Sequence, residues 1–333
     1  MKSERLPWLD VAKGLLIISV LIYHVPFFAG QNHIKEFDWM FYTHAWFKYY
    51  FMPAFFVITG FCSSFEKINF YELFKNNFKS LIIPGFLVSS GTPIGSHLLH
   101  GNTYLLDYWT PIRDFFCTGG FWFLTSLFWG KIIYFVLFKS TKSLVIRGGV
   151  CFFLLLGGVV MHSLKITNFW FVQNTMCLCI FLWLGEVLSL YHVKILGKKF
   201  FFISCILYFS VVYSFLMFNV KLPFVTLHVA IDSIFYIPLF IVLSVSGSLM
   251  LLNFCKIVCS NIFLEYIGKR TLIIYIFHMY ILLTILPHME GRIPQGVCGN
   301  TMGILLVLCI ILICLVIDFV LNTRYLKWFL GKF

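Results

Sequence analysis

An all-α, polytopic membrane bundle of about ten spanning helices is the fold class the chain predicts, and three observations lead to it. The 333 residues are 60% hydrophobic and only 11% charged, against roughly 25% charged in a soluble protein. Apolar stretches near the ~20 residues needed to cross a bilayer recur along the whole chain. Lys and Arg collect in alternate connections between those stretches, the positive-inside pattern of cytoplasmic loops.

The stretches place helices near 9–29, 44–64, 79–98, 120–138, 145–162, 170–190, 200–218, 225–250, 262–286 and 302–321. The first is too long for a signal-peptide core and no small-residue cleavage site follows it, so it is read as a retained helix. The third is interrupted by Pro84, Pro93 and several Gly and Ser. Broken helices at membrane depth are tolerated where they line a cavity. The cation-rich connections hold Lys2 and Arg5, then Lys67, Lys75 and Lys79, then Lys139, Lys142 and Arg147. Further along come Lys194, Lys198 and Lys199, then Lys256, Lys269 and Arg270, and the tail adds Arg324, Lys327 and Lys332. The alternate connections carry only Lys35, Arg113, Lys165, Lys221 and Arg292. Both termini are therefore expected in the cytoplasm. No internal repeat or appended soluble domain is visible, so residues 1–333 read as a single membrane domain.

A net charge of +12 raises the question of nucleic acid. The cations are spread as topology signals with no recognisable nucleic-acid motif, so no such partner is expected. Eleven Cys lie mostly in apolar runs without a Cys-x-x-Cys spacing. They read as small buried hydrophobes, and no metal site is expected.

Ionisable groups inside spans are costly and mark function. Helix one carries Asp10, Lys13 and His24. Lys13 and His24 are about three turns and roughly 16 Å apart along one face, and Asp10 precedes Lys13 on the same side. With helix nine also running outward, His278 falls at a depth similar to His24. Helix eight, running inward, puts His228 and Asp232 four apart on one face in the outer half. Lys13, Lys131, Glu186 and Asp318 fall in the inner leaflet. One reading is a path with cations at the cytoplasmic mouth and imidazoles deeper in for proton transfer. The competing readings are packing histidines bonded to carbonyls, mutual pairing of His228 with Asp232, and interfacial placement of Glu186 and Asp318.

These residues lie in motifs with a known look. Leu9-Asp10-Val11-Ala12-Lys13-Gly14 with His24 comes first, then Met52-Pro53-Ala54-Phe55-Phe56-Val57-Ile58-Thr59-Gly60-Phe61. Lys75 and Lys79 lead to Pro84, Trp122-Phe123-Leu124 follows, and Ile267-Gly268-Lys269-Arg270-Thr271 precedes Tyr275-Ile276-Phe277-His278. In order and spacing the chain resembles the membrane-bound acyltransferase family 3, in particular its fucose 4-O-acetylase-like branch. The resemblance implies transfer of an acyl group, often acetyl, from cytoplasmic acyl-CoA to a hydroxyl of a glycan or lipid-linked sugar. The acyl-CoA is a donor substrate, and no permanently bound cofactor is implied. The family's histidine maps to His24. Its Arg eleven positions earlier is Lys13 here, and its Ser before Gly-Phe is Thr59. The implied catalytic set is His24, His278 and Asp10, with Asp10 holding Lys13. Lys13, Lys79 and Arg270 are expected to meet the phosphates of CoA, and Trp122, Thr59 and Asp232 the acceptor. The implied setting is a bacterial cytoplasmic (inner) membrane. A transporter or flippase of an envelope glycan precursor would also use a buried polar stripe, but the inverted repeats common in transporters are not seen.

Overall fold

The computed structural model describes residues 6–31, 33–35, 37, 48–89, 121–217, 224–225, 230–231, 233–294, 296–323 and 326. Helices dominate, because backbone N–H and C=O groups in hydrocarbon must be satisfied within the segment. In order they are α1 (Pro7–Gln31), α2 (Phe51–Cys62), α3 (Phe70–Asn77), α4 (Trp122–Ser140), α5 (Leu144–Ser163), α6 (Val172–Ile195), α7 (Lys198–Met217), α8 (Ile237–Val258), α9 (Ile262–Gly268), α10 (Thr271–Ile285) and α11 (Val297–Leu321). Among the described residues eight helical stretches are long and apolar enough to span a membrane, and the chain is a multi-pass membrane protein. Asn69, Ser143 and Asn261 cap α3, α5 and α9 by accepting from the backbone N–H three residues on, at 2.8, 3.3 and 3.0 Å. Each supplies an acceptor to one of the orphan N–H groups of a helix start.

Four expectations need correction. The eighth helix begins at Ile237 after a short 3-10 turn, not near 225. Before it, Phe224 pairs with Ile231 and Val225 with Ala230 as an antiparallel two-residue bridge. The ninth span is not continuous. Lys269 closes α9, and Arg270 leaves helical geometry at φ −120°, ψ 15° before α10 starts. The third begins nine residues earlier than expected, at Phe70, and widens into a π-turn at Phe78–Ile82 before continuing through 83–89. Residues 90–98 of that expected span lie outside the described residues. The second has only twelve described helical residues, about 18 Å, with turns at residues 48–50 before it.

The chain forms two compact units, each assembled from separated segments. One comprises Met1–Phe55, Tyr191–Leu222 and Pro238–Val320. The other comprises Phe56–Leu190, Pro223–Ile237 and Leu321–Phe333. In the first unit α1 packs along α9 and α10. A Cβ on Gly14 would fall on the carbonyl oxygen of Leu264, and one on Gly268 on that of Asp10. The two backbones touch where each helix lacks a side chain, as small residues permit in membranes. In the second unit Gly60 of α2 and Gly185 of α6 make a similar crossing, with Gly60 against the Leu182 carbonyl and Gly185 against that of Val57.

Candidate active site

In the first unit the glycine crossing sets the register of α1 and α10. Gly14 precedes His24 by ten residues, and Gly268 precedes His278 by ten. α1 rises about 15 Å over that interval; on the other side the chain passes the break at Lys269–Arg270 and continues as α10, and the two imidazoles meet. Their ring centroids are 4.9 Å apart, with planes inclined at 54°. Both side chains are buried, at 5% and 1% exposure. Aromatic walls surround them: Tyr23 and Phe28 lie beside His24 at 5.2 and 5.8 Å, and Tyr275 beside His278 at 5.9 Å.

The hydrogen bonds fix the tautomers. Nδ1 of His24 lies 2.9 Å from the Val20 carbonyl oxygen, and Nδ1 of His278 lies 3.0 Å from that of Ile274. A carbonyl can only accept, so each Nδ1 carries the proton and donates. In the neutral ring Nε2 then holds the lone pair. The packing role and the chemical role are thus compatible, because the backbone bond orients the ring and leaves the basic nitrogen for other work. Nε2 of His278 is buried without a hydrogen-bond partner among the described residues.

At the Asp10 end of α1, Lys13 Nζ donates to Asp10 Oδ1 at 3.1 Å. Asp10 is almost wholly buried while the Lys13 side chain is 29% exposed. Arg270, at the break between α9 and α10, donates through Nε to Asp318 Oδ2 at 2.8 Å and through Nη1 to the Tyr266 carbonyl at 3.1 Å. Its guanidinium stacks 3.5 Å over the Tyr266 ring. These contacts clamp the planar group, while Nη2 has no partner among the described residues. Asp318 therefore serves as the anchor of Arg270, which its interfacial reading did not anticipate.

Lys79, Thr59 and Trp122 belong to the second unit. Lys79 sits in the π-turn, half-buried. Thr59 precedes the Gly60 crossing, and its carbonyl accepts from Ser63 Oγ at 2.7 Å. Trp122 opens α4, with its ring 6.0 Å from Phe123. Asp232 and His228 lie outside the described residues.

Two polar arrangements in the second unit were not anticipated. Arg147, counted as a loop cation, is buried in the first turn of α5 and donates to Glu186 Oε1 at 2.6 Å and to the Thr141 carbonyl at 2.7 Å. Tyr134 donates to the other oxygen of Glu186. Lys131 Nζ donates to Asn77 Oδ1 at 2.6 Å, at the mouth of the π-turn. The signal for the first was an Arg within one turn of a span, which sequence alone reads equally as loop.

Residues 6–323 match the family described as "Acyltransferase domain", that is, acyltransferase family 3. No curated protein and no solved structure matches the chain.

Proposed function

Since the chain belongs to acyltransferase family 3 and is a membrane acyltransferase, we propose that it moves an acyl group, acetyl in the first instance, from acyl-CoA to a hydroxyl of an envelope glycan or lipid-linked sugar. The observation that carries this reading is the facing pair His24 and His278, each with Nδ1 tied to backbone and Nε2 as the basic atom. His24 Nε2 removes the proton of the acceptor hydroxyl as its oxygen attacks the thioester carbonyl. The new C–O bond forms, the C–S bond breaks, and the departing CoA thiolate recovers the proton from the imidazolium. His278, whose Nε2 has no hydrogen-bond partner among the described residues, shares that proton while it is held. Asp10 acts as a positioning residue. It lies fourteen residues before His24, about 21 Å along the helix, and holds Lys13.

The donor is polyanionic, and Lys13 with Arg270 supports its phosphates at the cytoplasmic end of the first unit. Lys at position 13 offers a point charge, while Arg270 presents a clamped fork suited to phosphate oxygens. Lys79 of the second unit is the third cation assigned to the donor. Trp122, Thr59 and Asp232 remain assigned to the acceptor. Both termini are cytoplasmic in this scheme, as the cation pattern supports, and the compact loop set suits a bacterial inner membrane.

The test is mass spectrometry of the envelope glycans from a deletion strain complemented with wild type or with His24→Ala, at equal membrane levels. A base-labile acyl group present only with wild type is expected. Identical acylation in both strains contradicts the role of His24.

A further inference from the structure

The second unit contains buried polar groups that acyl transfer at the histidine pair does not use. Asn168 Oδ1 accepts from the backbone N–H of Gln173 at 3.1 Å. That contact orients its amide, so Nδ2 faces the other way and donates to Asn174 Oδ1. Asn174 is thereby oriented in turn, with its own Nδ2 directed away from Asn168. Asn174 is 1% exposed, and this Nδ2 has no partner among the described residues. On α4, Ser126 Oγ and Trp129 Nε1 are likewise buried and unpartnered among the described residues. These two are three residues apart and share a helix face. Gly130, the next residue, would carry a Cβ 3.9 Å from Thr175 Cγ2, so this stretch of α4 lies against the start of α6. The Trp129 and Trp170 rings are 6.3 Å apart at 73°.

The backbone at this corner is strained. Trp170 and Phe171 both hold left-handed φ values, 48° and 52°. Bulky residues adopt that region rarely, and strain of this kind gathers at functional sites. Chemistry narrows the ligand. Residues 121–130 and 166–176 contain no Asp, Glu, Lys, Arg or His; the cations that flank them are Lys165 and Lys131, and Lys131 is engaged by Asn77. Interfacial-belt tryptophans keep their N–H in the headgroup region, whereas that of Trp129 is buried. What the corner offers is indole faces and three orphan donors, which match the C–H face and the hydroxyl oxygens of a neutral sugar ring.

We propose that Ser126, Trp129, Trp170 and Asn174 form a pyranose-binding subsite for the acceptor. It rests on the reading that the acceptor is a glycan. On the predicted topology α4 and α6 both begin at the outer face, where an envelope glycan arrives. Phe169, 59% exposed, marks the open edge.

The test uses the full chain purified in a zwitterionic detergent that carries no sugar. Methyl fucoside, methyl galactoside and methyl glucoside are titrated while tryptophan fluorescence is followed, with mannitol as the open-chain control. Saturable quenching by at least one pyranoside and none by mannitol is expected. Asn174→Ala should raise the half-saturating concentration about tenfold, the equivalent of one lost hydrogen bond. Ser126→Ala is the milder variant should Asn174→Ala fail to fold, and is expected to raise it several-fold. No saturable quenching in wild type, or equal half-saturation in the folded variants, overturns the subsite. CoA release from acetyl-CoA is measured in the same samples. Saturable binding without CoA release leaves the subsite standing and counts against the glycan-acylation reading. CoA release with an unchanged KM for the pyranoside in both variants overturns the subsite alone.

Discussion

At the scale of single residues, the site depends on what the second nitrogen of each imidazole is doing. A carbonyl one turn back holds Nδ1 of His24 and of His278, and orientation of this kind selects which nitrogen can act as base. His24→Ala should therefore lose about 10²- to 10⁴-fold in kcat, the usual worth of a positioned general base. His278→Ala should lose less, because the primary base remains. Both effects are read as CoA release with equal amounts of folded protein. That the two histidines share one level was legible in the sequence. Their meeting was not, because residue spacing gives height along a helix and leaves rotation about its axis to packing. Arg147 shows the same limit from another side: as a cation near a span end it read as a loop charge, yet it is buried against Glu186. Glu186→Ala leaves both Arg147 and Tyr134 without that acceptor. It should cost about 3–5 kcal/mol, seen as a lowered thermal midpoint, with Glu186→Gln recovering part of it.

Among the elements, glycine pairs decide how the helices approach. Gly268 lies on the Asp10 carbonyl and Gly14 on that of Leu264, so neither neighbour can yield as a flexible side chain would. Gly268→Ala should push α9 from α1 and destabilise by about 1–3 kcal/mol, typical of overpacking. At Gly149 of α5, by contrast, an added Cβ would meet nothing within 4 Å. Gly149→Ala is the control, expected to be neutral or to stabilise by about 0.5–1 kcal/mol from reduced backbone entropy. Thermal midpoints in one detergent separate the two. Helix identity was mostly visible in the apolar runs of α1, α4, α5, α6, α7 and α11. Two elements misled. The run from Val225 is apolar enough to pass for the start of a span, but its residues pair as an extended bridge and the helix waits until Ile237. The break at Lys269–Arg270 has no proline to announce it, since it follows from tertiary contacts that bring Gly268 onto α1 and lock Arg270 onto Asp318.

For the whole molecule, alternation of Lys and Arg predicts the side of every connection. Two native cysteines make this measurable. Cys259, between α8 and α9, and Cys298, at the start of α11, are both exposed. Variants retaining only one of them should differ in intact cells. A membrane-impermeant maleimide should label Cys298 alone, and both should react once the membrane is permeabilised. The reverse pattern would invert the bundle and put the donor cations on the wrong side. The candidate site was readable at this scale because charge is rare in the spans, so Lys13, His24, Arg270 and His278 stood out against apolar sequence. The buried amide and indole donors of the second unit did not, because uncharged polar residues in a span read as ordinary packing until their hydrogen bonds are traced.

The most direct measurement follows the acyl group itself. Purified protein is supplied with acetyl-CoA labelled in its acetyl group and with lipid-linked glycans extracted from the host membrane. Wild type is expected to move label into the glycan fraction in step with CoA release, and His24→Ala to move almost none. Transfer by His24→Ala at the wild-type rate would contradict His24 as the base.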